Sequence, residues 1–159
     1  EARIFKYGSG TGTNFSVIRG HQENLSGGGN SSGLLSFLEV FDRAAGATKS
    51  GGTTRRAAKM VILDMDHPEI VDFIKWKPKE EAKAAALIAK GYDADFNGEA
   101  YHTIAGQNSN NSVRVSDEFL ERALKGEKWT TRFRSTGEAC EELNAGDLLN
   151  LISKAAWRL

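Results

Sequence analysis

Three glycine-rich strings carry the residue types that can handle a phosphate or a base. Gly8-Ser9-Gly10-Thr11-Gly12 has glycine at alternate positions, which lets a backbone approach a ligand closely. It lacks the GxxxxGK[ST] spacing of a phosphate loop, and the next segment reads as a strand rather than a helix, which argues against a P-loop or dinucleotide fingerprint. A bend or bulge at a strand start explains the same string. Ser26 to Gly33 (SGGGNSSG) sets hydroxyls, amides and free N–H groups just before a helix, where the dipole favours an anion or nucleotide. An ordinary flexible loop has the same composition. Lys49 to Arg56 adds Ser50, mobile Gly51 and Gly52, short hydrogen-bonding Thr53 and Thr54, and the planar forks of Arg55 and Arg56, suited to phosphates or base edges. An exposed arginine pair can equally be solvated.

Other polar residues promise less. His21, His67 and His102 lack metal spacing, and none is assigned to a metal. His67 reads as a helix-start residue, the other two as loop residues. Cys140, the single cysteine, lies in acidic GEACEEL, which raises a thiol pKa and leaves it inert. It cannot form an internal disulfide or a multi-cysteine zinc site. Asp64 and Asp66 resemble paired carboxylates, but a strand end followed by a helix cap explains both. Amide-rich QNSNNSVRV (107–115) either lines a polar pocket or makes a turn.

The elements around these residues alternate between strand and helix. Thr13–Arg19 reads as a strand. Leu34, Leu38, Phe41 and Ala45 recur at helical spacing, opposite Glu39, Asp42 and Arg43, and predict an amphipathic helix over 33–48. MVIL at 60–63 is a buried-strand candidate. Asp66 or His67 caps a helix, with Pro68 in its first turn, and a separate helix is predicted over 78–90. Tyr92–Gly106 reads as irregular with a turn at 97–98, and Asn111–Val115 as a strand. Asp117 caps a short helix through Leu124, and Leu148, Leu149, Ile152 and Ala156 mark a last helix. The fold class is α/β.

With 159 residues, the chain has the length of one domain. Lys+Arg and Asp+Glu both number 21, so bulk electrostatics does not hold it on nucleic acid or a membrane. No apolar run reaches the roughly 20 residues of a membrane-spanning helix. A single cysteine fits a reducing, cytoplasmic setting. Eleven of the 17 glycines fall in the first 52 residues. The start at Glu1 and the stop at Trp157-Arg158-Leu159 inside a helix suggest a piece of something longer.

As continuous strings, YGSGTGTNFSVIRG, LSGGGNSSGLLSFLEVFDRAAGATKSGGTTRRAAKMVILDMDHPEIVDFI and ALIAKGYDADFNGEAYHTIAGQNSNNSVRV resemble the large catalytic chain of ribonucleotide reductase, closest to its class II, adenosylcobalamin-dependent form. The resemblance runs from about residue 5 to 159. It implies that residues 1–159 are an incomplete part of a ten-stranded α/β barrel that reduces ribonucleotides to 2′-deoxyribonucleotides. A cysteine thiyl radical, generated through adenosylcobalamin, would remove the 3′ hydrogen, and a cysteine pair would supply reducing equivalents, renewed by a thioredoxin-like reductant. Deoxynucleoside triphosphate or ATP effectors would choose the base through two loops near a helical homodimer contact.

Carried over by position, Gly8, Ser9 and Gly10 match the glycine-rich strand start that faces the substrate. Arg19 matches an arginine near the effector phosphates. Ser26 to Gly33 matches the first specificity loop, and Lys49, Ser50, Gly51, Gly52, Thr53, Thr54, Arg55 and Arg56 the second. Lys49 stands where class I chains carry an acid. The 33–48 helix would use its apolar stripe in the dimer contact. The N-x-C-x-E motif of the radical cysteine is absent from these 159 residues, and Cys140 matches neither family cysteine. No catalytic residue is therefore expected here, and the chain is expected to be inactive alone. The alternatives are a stand-alone nucleotide-binding or regulatory module, or a structural piece of a split barrel. Direct nucleic-acid or membrane binding is not expected.

Overall fold

A computed structural model describes residues 2–7, 9–48, 59–95 and 98–158. Lys49 to Arg56 and Gly8 lie outside the described residues. The chain runs α1 (Ala2–Lys6), β1 (Thr11–Asn14), α2 (Leu34–Ala47), β2 (Lys59–Asp64), α3 (Ile70–Ala89), α4 (Glu99–Thr103), β3 (Ser109–Arg114), α5 (Asp117–Lys125), β4 (Lys128–Arg132), β5 (Ala139–Asn144) and α6 (Ala145–Arg158). Strands β1, β2 and β3 form a parallel sheet in that order, with Thr11 beside Lys59 and Lys59 beside Ser109. Parallel neighbours require crossover connections, and α2 and α3 provide them. The fold is α/β, and these three strands do not close a barrel.

Alternation decides which face the helices cover. Val61 and Leu63 are buried with Phe15, Leu34, Leu38, Ile70 and Phe73 in one core, whereas Met60 is 42% exposed. Gly12, Asn14, Asn110 and Arg114 are exposed with Met60 on the opposite, uncovered face. The amide-rich run 107–115 thus divides: Asn110 faces the open side, and Asn111 lines an apolar groove beneath α3 and α6.

Several expectations need correction. The first strand covers Thr11–Asn14 and stops before Phe15, because Asn14 Oδ1 accepts Ser16 N–H at 2.9 Å and bends the chain into a turn. The two helices expected on either side of Pro78 are one, Ile70–Ala89, with the proline inside it; buried Ile70, Phe73, Ile74 and Trp76 hold the turns before the break. Ser116, rather than Asp117, caps α5 by accepting Phe119 N–H at 3.2 Å. His102 lies in the short helix α4, not a loop.

The antiparallel β4–β5 hairpin, with a register shift between Thr130 and Arg132, has no counterpart in the sequence reading. Trp129 packs edge-on against Phe119 at 5.2 Å and donates its indole N–H to Met65 O at 3.0 Å. That bond fastens the hairpin to the end of β2.

Buried acids hold the loops in place. Asp42, expected on the polar side of α2, is only 2% exposed; its carboxylate accepts the Gly106 and Asn108 N–H groups at 2.9 and 2.7 Å. Glu80 Oε2 accepts Ala105 N–H at 2.9 Å. A buried carboxylate is tolerable when donors replace its water. Lys59, fully buried at the start of β2, donates to Thr13 Oγ1 at 2.7 Å and lies over the Phe15 and Phe41 rings at 5.3 and 5.1 Å.

Candidate functional site

Beyond Phe15 and Ile18, which pack on the core, the loop between β1 and α2 is built by polar bonds. Ser31 N–H reaches Glu23 O at 2.8 Å, and Leu25 N–H reaches Gly29 O at 2.9 Å. An isolated bridge pairs Asn24 with Asn30. Gly28 and Gly29 take φ of 91° and 83°, a left-handed turn that costs glycine little. Gly33, with φ 84°, is needed for a second reason: a Cβ there would lie 2.7 Å from Glu69 Oε1 and 2.9 Å from His21 Cβ.

Glu69 explains that crowding. Its Oε2 accepts Leu34 N–H at 2.5 Å and its Oε1 meets His21 Nδ1 at 2.9 Å. The position that an external anion would take at the start of α2 is thus occupied by this chain's own carboxylate. His67 sits beneath, fully buried; its Nε2 donates to Ile18 O at 2.8 Å, and its Nδ1 accepts Glu69 N–H at 3.0 Å. Both bonds fit the neutral ring. Burial pushes its pKa down, and the nearby Arg134 charge adds to that.

Glu23 is the second internal carboxylate. Oε2 accepts Gly20 N–H at 2.7 Å, and Oε1 accepts the N–H and Oγ–H of Ser135, each at 2.7 Å. Burial pushes its pKa up, but these donors outweigh it and hold the carboxyl below its ordinary range.

Arg19 and Ser26 share a groove of about 470 Å³ with Gln22, Leu25, Phe133 and Glu138, between this loop and the hairpin tip. Arg19 Nη1 touches Asn24 O at 3.4 Å and its side chain is exposed. Gly33 is not in that groove; it lies buried at the start of α2. Ser9 and Gly10 are exposed and precede β1, with Ser9 N–H on Ile4 O at 3.3 Å. They stand at the opposite end of β1 from the Arg19–Gly33 loop, about 13 Å away for four residues at ~3.3 Å each. The parallel register Thr11–Lys59 puts them beside the start of β2, directly after residues 49–58.

The apolar stripe expected to serve a subunit contact is used internally. Leu34, Leu38 and Ala45 are in the core. A different stripe on α2, Phe37, Val40 and Ala44, is exposed. Cys140 donates to Gln22 Oε1 at 3.4 Å, and burial, ahead of the Glu141 and Glu23 charges, pushes its thiol up; inertness was expected from the acids alone. No group of three His, Cys, Asp or Glu among the described residues could hold a metal, and no described helix is long and apolar enough to cross a membrane. Sequence reasoning missed Glu23, Glu69 and Ser135, whose partners are up to 112 positions away.

A family model described as "Ribonucleotide reductase, barrel domain" matches residues 1–154. The chain is 51% identical over 159 residues to a vitamin B12-dependent ribonucleotide reductase of Rhodopirellula baltica, covering 99% of this chain and 15% of the relative. It is 52% identical over 157 residues to a protein of the same name from Streptomyces avermitilis, at 99% and 16% coverage. A vitamin B12-dependent ribonucleoside-diphosphate reductase of Mycobacterium tuberculosis is 33% identical over 98% of the chain and 19% of its own length. The chain thus spans less than a fifth of these relatives. With a matched model over nearly all its residues and a parallel α/β sheet to fit it, the chain belongs to the ribonucleotide reductase family, as a segment of the barrel domain.

Proposed function

We propose that this chain is part of an adenosylcobalamin-dependent ribonucleotide reductase, and that it carries the effector-reading loops and one wall of the substrate cavity. The observation that carries the reading is identity of 51–52% across 99% of the chain to proteins named vitamin B12-dependent ribonucleotide reductase. In this reading the uncovered face with Met60 and Asn110 looks into the barrel, and Gly8, Ser9 and Gly10 approach the substrate. Arg19 faces the effector phosphates, Ser26 to Gly33 forms the first specificity loop, and Lys49 to Arg56 forms the second.

A cysteine elsewhere in the reductase, as its thiyl radical, takes the 3′ hydrogen and later returns it, the 2′ hydroxyl leaves as water, and a cysteine pair gives two electrons and two protons as it becomes a disulfide. A thioredoxin-like reductant restores the pair. Cys140 has no part in this: its thiol is pushed up and it sits in the hairpin. Among the described residues, the grooves between the sheet end and the hairpin, between α3 and α6, at Asn111 and at Arg19 measure about 370–650 Å³, the size that encloses a small ligand rather than a corrin with its adenosyl group, and none of these is lined by a histidine. These grooves by themselves do not fit adenosylcobalamin, which would supply the radical chemistry when bound.

Homodimer formation through α2 would use Phe37, Val40 and Ala44. The helix is about 21 Å long at ~1.5 Å per residue, with one specificity loop before it and the other after it. An antiparallel two-fold pairing would set the start of α2 in one copy beside its end in the other. A cytoplasmic location agrees with this reading.

The test is reduction of CDP and CTP by the full-length polypeptide that carries this sequence, with and without adenosylcobalamin. Reduction that requires the cofactor is expected. Absence of reduction of either nucleotide with the cofactor present would return the chain to a binding or structural role.

A further inference from the structure

We infer that the β4–β5 hairpin positions the Arg19–Gly33 loop through the Glu23–Ser135 contact, which makes Glu23 and Ser135 determinants of effector-dependent base choice. The inference rests on the proposed reading of that loop as the effector loop.

Glu23 stands at the loop's base and holds it three ways. Its backbone carbonyl takes Ser31 N–H at 2.8 Å. Its Oε2 takes Gly20 N–H, next to Arg19, and its Oε1 takes both donors of Ser135. Glu23 is 3% exposed, and a charged acceptor roughly doubles the strength of each bond. Between Gly20 and Ser31 there is little apolar packing to fix the loop: Leu25 is 42% exposed. Position is therefore set by these polar bonds.

The hairpin end of the contact is itself anchored. Arg132 N–H meets Asp66 O at 2.7 Å. Arg134 Nη2 meets Asp66 O at 2.5 Å and Asp66 Oδ1 at 3.1 Å. The Trp129 indole bonds Met65 O. Met65 and Asp66 directly follow β2, whose first residue, Lys59, directly follows residues 49–58. One strand thus ends where the hairpin that holds the Arg19–Gly33 loop is fastened. Such a chain of packed and hydrogen-bonded elements can pass a shift along β2 to that loop.

The experiment uses the full-length reductase as wild type, Ser135→Ala, Ser135→Thr and Glu23→Gln. The kcat/KM ratio for two ribonucleotides is measured without effector and with each of four effectors. Ser135→Ala and Glu23→Gln are expected to shrink the effector-induced change in that ratio about tenfold, the coupling that one charge-assisted hydrogen bond carries. Effector-free kcat of Ser135→Ala should stay at the wild-type level. Ser135→Thr, which keeps the hydroxyl, should behave as wild type. A full effector response in Ser135→Ala overturns the inference, as does equal loss of turnover with and without effector. A wild-type enzyme with no effector response overturns the underlying reading instead. Ser135→Ala keeps every backbone donor and the Gly20 bond, so it carries the test if Glu23→Gln does not fold.

Discussion

The Glu69 carboxylate accepts the Leu34 backbone N–H at 2.5 Å, capping α2 with a side chain from the turn after β2. The glycine–serine string before α2 has the composition of an open anion site. The first N–H of that helix is already taken from within, and the exposed groove at Arg19 and Ser26 lies apart from it.

Removing that carboxylate should loosen the first turn of α2. Glu69→Ala is expected to cost about 2 kcal/mol, a lost cap plus a buried N–H left without a partner. Urea unfolding of the 159-residue chain measures it, and hydrogen exchange at Leu34 should quicken. A cost below about 0.5 kcal/mol, the range of ordinary surface substitutions, would mean that the cap contributes nothing.

Gly33 and Gly27 should respond unequally to the same change. Gly33→Ala meets Glu69 Oε1 at 2.7 Å and strains a φ of 84°, for an expected loss of about 2 kcal/mol. Gly27→Ala meets nothing within 4 Å and should stay within about 0.5 kcal/mol of wild type. Equal thermal midpoints for the two variants would contradict the local geometry.

Acid should destabilise the chain in two stages. The folded-state pKa of His67 lies below its ordinary 6.5, so as pH falls through 6.5 the unfolded state takes up the proton first and stability drops. The folded-state pKa of Glu23 lies below 4.5; its contribution is complete above 4.5 and fades as pH falls towards the folded value. Glu23→Gln should flatten the lower stage and keep the upper one, because the Glu23 charge holds the His67 pKa up and its loss lowers that pKa further. Thermal midpoints from pH 7.5 to 3.5 measure both; a single stage unchanged by Glu23→Gln would contradict the assignment.

Elements with a strong period were legible in the sequence. Leu34, Leu38, Phe41 and Ala45 announced α2, and the continuous apolar run Met60–Leu63 announced β2. The hairpin was not, because its inward side rests on few residues, chiefly Trp129, Thr131 and Leu143, though β-forming Trp129-Thr130-Thr131 and the Ser135-Thr136-Gly137 turn signal were present. The acids were invisible for a deeper reason. Asp42, Glu23, Glu69 and Glu80 read as surface residues by type, and only the long-range approach of a loop's N–H groups makes burial favourable. Of the residues singled out for chemistry, Arg19 and Ser26 come together, Ser9 and Gly10 stand at the other end of the sheet, and Gly8 and Lys49 to Arg56 lie outside the described residues.

We propose that the Arg19–Gly33 and Lys49–Arg56 segments read an effector and choose the base. The most direct test is base preference of the full-length polypeptide that carries this sequence under each of four effectors, for wild type, Arg19→Ala and Arg55→Ala. Weakened effector control with basal turnover retained is the expected result in both variants. Substrate selectivity identical to wild type under all four effectors would contradict the account.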